Sequence, residues 1–331
     1  MDLEAFVAEH EPQWQRMDAL VRRSRRLTGA ESDELVSLYR QASTHLSMVR
    51  ASAPDPALLG RLSRQVAAAR VAIGGTRSSG AREVVRFVTV TFPASVYLNR
   101  RWWLLVTAAW LLVATAIAWW VATNPSVQAS IAAPEQIRQL VEHDFADYYS
   151  ENPATSFAAQ VWTNNAWVAA GCLVLGVFLG LPVIYILYIN ALNIAVSAGL
   201  MVAAGRADVF FGLITPHGLL ELTAVFVAAG AGLRLGWTVI DPGSSTRADA
   251  LAVAGRSAVA IAIGLVGVLL LSGVIEAFVT PSGLPTWARI GVGVLAEAAF
   301  LAYVWVFGRR AVRDGEVGDI ETPTDVRPVS A

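Results

Sequence analysis

A chain of 331 residues that is 55% hydrophobic, with 25 basic and 26 acidic residues and one cysteine, is more apolar than an ordinary soluble domain. The net charge of −1 decides little by itself, but the arginines of residues 1–101 are diluted by acids, so nucleic-acid binding has no support. One cysteine, Cys172, excludes an intramolecular disulfide and a cysteine-built metal centre.

The apolar excess is confined to residues 102–307, so the chain divides before any motif is sought. The first residues, polar and acidic, are not expected to act as a signal peptide. Leu3, Phe6, Val7, Trp14, Met17, Leu20, Val21 and Leu27 recur at helical spacing and predict an amphipathic helix. Thr28-Gly29-Ala30-Glu31 has the form of a capping box, which starts a second helix. Pro54 and Pro56 break that helix, a third runs through Leu58, Leu62, Val66 and Ile73, and Gly74-Gly75 stops it. Trp14, Leu20, Leu35 and Tyr39 offer more apolar surface than so small a bundle is expected to bury alone, which predicts a homo-oligomer, most simply a dimer.

Residues 81–101 interleave valines and phenylalanines with Arg82 and Arg86 and close on Arg100 and Arg101, the pattern of a juxtamembrane amphipathic segment on the bilayer surface, with a packed core helix as the alternative. Six spans of about 20 residues are expected at 102–122, 161–181, 183–204, 211–233, 257–279 and 287–307. Pro182 is the only turn signal between the second and third. Residues 1–101 hold 15 Arg against 10 acids, whereas 122–160 hold one Arg and five acids. Arginine enrichment marks the cytoplasmic side. Both termini and the 234–256 connection are therefore expected inside, across a bacterial inner (cytoplasmic) membrane, with Arg206 the exception. Pro134 opens an expected external helix over 134–149, with Ile137, Leu140, Val141, Phe145 and Tyr148 as its apolar stripe. Residues 309–331 read as a polar, disordered cytoplasmic tail.

The fold class is thus all-α: a polytopic membrane bundle of about six helices behind a cytoplasmic helical segment, residues 1–80. Function is sought among polar side chains inside the spans, where they are costly and usually face the bundle interior, and where the alternative is interhelical hydrogen bonding that fixes the bundle. These are Asn164 and Asn165 in span two, Asn190 and Asn193 in span three, His217 and Glu221 in span four, Glu276 in span five and Glu297 in span six. His217 and Glu221, four apart, share a helix face. No Arg lies at mid-depth to neutralise the acids, so His217, Glu221 and Glu276 are expected in one interior region with Asn164 or Asn165 at its edge. His217-x-x-x-Glu221 is not a two-histidine zinc motif. A metal site would need His217, Glu221 and Glu276 to converge, with or without Glu297. No catalytic residue, cofactor or metal ligand is assigned. Gly176-x-x-x-Gly180 and Gly232-x-x-x-Gly236 read as close helix-packing sites rather than phosphate loops.

The segment Thr215-Pro216-His217-Gly218-Leu219-Leu220-Glu221-Leu222, with the glycines of 229–236, resembles the stage II sporulation protein M family of integral membrane proteins. So does Gly273-Val274-Ile275-Glu276-Ala277-Phe278-Val279-Thr280-Pro281, and the likeness is read over about residues 10–310. The chain departs from the family pattern at Asn193-Ile194, where the common pair is Asn-Gly. The resemblance implies a multi-pass component without enzymatic activity of its own. Its namesakes act in engulfment beside peptidoglycan-degrading partners, and many relatives are encoded near MoxR-type AAA+ ATPases. The expected function is a membrane scaffold or assembly factor linked to cell-envelope remodelling, with the lipid bilayer, a second copy and such proteins as partners. The rivals are a transporter or channel for a small solute, ion or proton using His217, Glu221 and Glu276, and an intramembrane hydrolase.

Overall fold

The computed structural model describes residues 3–24, 27–52, 55–74, 80–145 and 154–318. The chain forms two compact units, Met1–Val84 and Val85–Ala331.

In the first unit α1 (Leu3–Arg22), α2 (Gly29–Ser52) and α3 (Pro56–Gly74) pack pairwise around one core. The capping box is present. The Thr28 amide donates to Glu31 Oε2 at 2.9 Å, and the Glu31 amide donates to Thr28 Oγ1 at 3.3 Å. The Thr28 amide and hydroxyl hold the Glu31 carboxyl below the usual carboxylate range. The core closes on Trp14, Met17, Leu20, Leu35, Val49, Leu62 and Ala69, all fully or nearly fully buried. Trp14, Leu20 and Leu35, expected to need a second copy, are covered by α2 and α3 instead. These residues therefore give a dimer no support.

One corner of this unit is built from rings. The His10 and His45 rings stack at 4.0 Å between centroids, with Phe6 edge-on to both. Trp14 Nε1 donates to His45 Nδ1 at 3.2 Å, which requires that nitrogen to be unprotonated. Burial, and then the neighbouring His10 charge, lower the His45 pKa, while Glu9 opposes them. A histidine whose folded pKa is depressed stabilises the fold fully above its ordinary value of about 6.5 and loses that contribution as pH falls through the folded value. Amide protection of α1–α3, taken relative to the intrinsic exchange rate at each pH, is therefore expected to fall between about pH 7 and pH 5, with the fall reduced in His45→Gln. An identical pH slope in the variant would show that His45 is not the group responsible.

The second unit is built on α11 (Ala207–Ile240), a helix of 34 residues or about 50 Å, longer than a bilayer core of about 30 Å. It packs against α6 (Arg100–Thr123), α9 (Ala154–Leu175), α10 (Leu181–Ala203), α12 (Arg247–Phe278) and α13 (Thr286–Tyr303). Thr246 caps α12, its hydroxyl accepting from the Asp249 amide at 3.2 Å. Trp110 Nε1 donates to the Leu187 carbonyl at 3.2 Å, tying α6 to α10. Exposed leucines, isoleucines and valines cover the outer faces, with Trp119, Trp120 and Trp287 exposed near helix ends, as a lipid-facing surface with interfacial aromatics requires.

Among the described residues five helices are long and apolar enough to cross a membrane: α6, α10, α11, α12 and the run Thr286–Arg313. The expected second span is α9, which joins the bundle core through Ala169, Cys172 and Leu173. Asn164 and Asn165 dilute its apolar run and it stops at Leu175, so it falls short of the other five. It does not merge with α10. The reversal lies at 176–180, where Leu179 and Gly180 adopt φ of 58° and 73°, and Pro182 falls in the first turn of α10. At that turn Gly176 faces the backbone of Gly232, and Gly236 faces Gly176 and Gly180, so the two glycine motifs are packed on each other.

Two terminal or connecting segments differ from expectation. Residues 81–101 begin with an exposed α4 (Gly80–Arg86), but α5 (Phe92–Leu98) packs into the bundle and buries Phe92–Val96 against α12 and a π-helical turn at Val304–Gly308. The expectation of a surface segment does not hold for Phe92–Val96, which lie inside the bundle. The tail does not begin at 309: α14 (Arg309–Arg313) continues the last span. Glu316 then pairs with Arg86 at 2.8 Å, and the Ser95 hydroxyl donates to the Gly318 carbonyl at 2.6 Å. Residues 319–331 lie outside the described residues.

The segment between α6 and α9 runs through α7 (Pro125–Ile131), α8 (Pro134–Gln139) and a π-helical turn at Leu140–Asp144. Pro134 opens α8 as expected, and Tyr148 lies outside the described residues. The apolar stripe rests on the bundle: Val141 is buried with Ala198, Met201 and Phe210, and Ile137 and Phe145 pack beside it. Val141→Asp is expected to release the segment, because a carboxylate there loses solvent without a partner. Limited proteolysis of residues 125–145 should accelerate, and an unchanged cleavage rate would show that the segment is not held by this contact.

Candidate functional site: a buried histidine and glutamate cluster

Spacing alone prepares the site. On α11, His217 and Glu221 stand one turn apart on a common face. On α12, Ser272 and Glu276 repeat at the same interval, and Thr280 continues the row two residues past the helix end. α11 and α12 pack along their length, so these two polar stripes meet inside the apolar bundle.

His217 Nδ1 lies 3.2 Å from Thr280 Oγ1, and its Nε2 lies 3.7 Å from Glu276 Oε1. The Ser272 hydroxyl donates to the His217 carbonyl at 3.0 Å and also lies against the Glu221 carboxyl. Arg289 Nη1 donates to the Thr280 carbonyl at 2.7 Å, fixing the residue that holds the imidazole. His217 and Glu276 are 5% and 2% exposed, and Ser272 and Thr280 are buried. One ligand-capable atom from each of His217, Glu221 and Glu276 lies within 4.8 Å of the others. Among the described residues no arginine forms an ion pair with Glu221 or Glu276, and Glu276 Oε2 has no hydrogen-bond partner.

The interior group expected of His217, Glu221 and Glu276 is therefore present. The other candidates are distributed elsewhere. Glu297 accepts from Thr223 Oγ1 at 2.9 Å, and Thr223, two residues from Glu221, is on the opposite side of α11. Asn165 is buried in α9, while Asn164 and Asn193 are exposed. Ser272 and Thr280 went unread in the sequence, although four-residue spacing on either side of Glu276 was visible. A second buried polar group was also unread. Arg234 Nη1 donates to Asn99 Oδ1 at 3.2 Å, and Asn99 Nδ2 donates to the Ser95 carbonyl at 2.8 Å and to Ser257 Oγ at 3.5 Å. Its residues come from three separated segments, so no local pattern marks them.

What the fold and this interior define is a multi-pass helical membrane protein with a closed polar centre between its two longest helices. The chain belongs to the stage II sporulation protein M family, whose model matches residues 107–281, from α6 through the end of α12 and including His217, Glu221, Glu276 and Thr280. The front of the chain is separate: residues 4–75, the span of α1–α3, match a domain of unknown function (DUF8413). The family match is thus narrower than the likeness read over 10–310. No curated protein and no solved structure matches the chain.

Proposed function

We propose that this protein is a non-enzymatic scaffold or assembly factor of the inner membrane, anchored by the bundle and recruiting partners through α1–α3 on the cytoplasmic side. The observation that carries the reading is the backbone-to-backbone packing of Gly176, Gly232 and Gly236. Helices joined this closely form a rigid anchor, whereas alternating access needs one part of the bundle to rock against another. The separately folded α1–α3 unit, in a region with 15 Arg, gives the anchor a soluble platform on the arginine-rich side.

By family resemblance, the partners are envelope-remodelling proteins or a MoxR-type ATPase. The test is crosslinking in native membranes followed by mass spectrometry of what co-purifies. A partner of that class should be recovered and should be lost when residues 1–80 are deleted from an otherwise inserted chain. Cation or proton flux in proteoliposomes that disappears in Glu221→Gln would replace the scaffold with a transporter. Reporter fusions test the orientation, and labelling of the C-terminus from outside would overturn it.

A further inference from the structure

We infer that His217, Glu221 and Glu276 form a binding site for one divalent transition-metal ion, of which Zn²⁺ is the best match, clasped between α11 and α12. The inference is independent of the scaffold reading, since a metal clasp serves an anchor, a transporter or an enzyme equally.

Charge is the first argument. Two carboxylates facing each other in a low-dielectric interior repel, and no arginine among the described residues pairs with either. A divalent cation cancels both charges at once, and the neutral imidazole adds a ligand without adding charge. The His217 and Glu276 geometry is the second. With Nδ1–H donating to Thr280 Oγ1, the Nε2 lone pair faces Glu276 Oε1 across 3.7 Å. Two acceptors facing each other at that distance are satisfied by a cation between them. Glu276 Oε2, buried without a hydrogen-bond partner among the described residues, is the third. In a protein interior such an atom costs about 1–3 kcal/mol, and a metal bond removes the deficit.

The surroundings are those of a ligand set. Metal-bound histidine is typically oriented through its other ring nitrogen, and Thr280, itself held by Arg289, is placed to do this. The donor atoms lie within 4.8 Å of one another, and closing on one ion at bonds of about 2.0–2.2 Å would draw them nearer still. One nitrogen and two oxygens select against Ca²⁺ and Mg²⁺, which take oxygen ligands in greater number. Three protein ligands leave the fourth tetrahedral position for water. Glu276 stands two residues from the end of α12, so an ion has a short way in from the bundle end.

The probe is Co²⁺, whose visible absorption reports tetrahedral coordination. It is added to the full-length chain, purified in detergent through a tag without histidine and stripped with chelator. One Co²⁺ should bind per chain and be displaced by Zn²⁺. Glu276→Gln, which keeps the side-chain shape, and His217→Ala should abolish the signal, and Thr280→Val should weaken affinity by about 10–100-fold. Glu297→Gln, and the pair His10→Ala with His45→Ala, should leave it unchanged. A wild-type chain without the tetrahedral spectrum, or the same spectrum in folded Glu276→Gln, overturns the site. Loss of the signal in the His10 and His45 pair assigns the metal to the first unit and also overturns it. Should the site variants fail to fold, thermal melting of the stripped wild-type chain decides the matter. Stoichiometric Zn²⁺ must raise the midpoint, and an unchanged midpoint counts against the site.

Discussion

Gly232→Leu is expected to remove the folded membrane unit from detergent extracts. A side chain at 232 is driven into the backbone carbonyl of Cys172, on the face where Gly176 already meets Gly232. Neither obstacle is a flexible side chain that can swing away. Overpacking usually costs about 1–3 kcal/mol where side chains adjust. Here α9 would have to leave α11, so the cost should exceed about 3 kcal/mol, a large part of the 5–15 kcal/mol that a protein holds. Size-exclusion traces of a fluorescent fusion, read before and after heating, measure it. Gly267→Leu is the matched control, because nothing lies within 4 Å of a side chain built there. It should behave as wild type, and a Gly232→Leu trace indistinguishable from it would mean that the glycine contact carries no weight.

The other large effect belongs to the first unit. Trp14 is 1% exposed, is ringed by Phe6, His10 and His45, and lies under the Arg61 guanidinium, which Glu11 holds at 2.6 Å. Trp14→Ala empties the largest side chain from this core and strands the ring nitrogen of His45 that the indole satisfied. A loss of about 3–5 kcal/mol is expected, enough to leave so small a bundle largely unfolded. Hydrogen exchange on the full-length chain separates the outcomes. Protection should collapse across α1–α3 and persist in α11 and α12. Protection retained in α1–α3 would show that the core tolerates the cavity, and loss in both units would show that they do not fold independently.

Local rules carried the sequence reading furthest. The capping box at Thr28 depends on two residues three apart and was legible as written. The meeting of His217, Glu221 and Glu276 followed from the cost of a carboxyl facing lipid, which leaves the interior as the only tolerable place. What escaped depends on partners distant in the chain. The pattern of Phe92–Val96 does not separate a helix on the bilayer surface from a buried one, because its cover comes from Val304–Gly308 and α12. The reversal before α10 was assigned to Pro182, yet proline there starts a helix, and the left-handed backbone sits at Leu179 and Gly180. Trp14, Leu20 and Leu35 looked surplus because the periodicity of one helix does not reveal how much of it the next two cover.

The burial of α5 also sets an order of assembly. Ser95 and Gly318, joined by a hydrogen bond, are 223 residues apart, and Tyr303 reaches back to the Val88 carbonyl over nearly the same separation. During synthesis α5 leaves the ribosome before any span and meets its cover only when the last one has been threaded. Until then Phe92 and Val96 have no protein to lie against, and the bilayer surface is the one apolar medium within reach. The juxtamembrane pattern in 81–101 fits this waiting stage, and the buried helix is what the segment becomes once translation reaches the tail. Closing so long a loop is slow relative to pairing neighbouring spans. The docking of Glu316 on Arg86 and of Gly318 on Ser95 therefore marks a finished molecule, and a ribosome that stalls before that point leaves the lid of the bundle open.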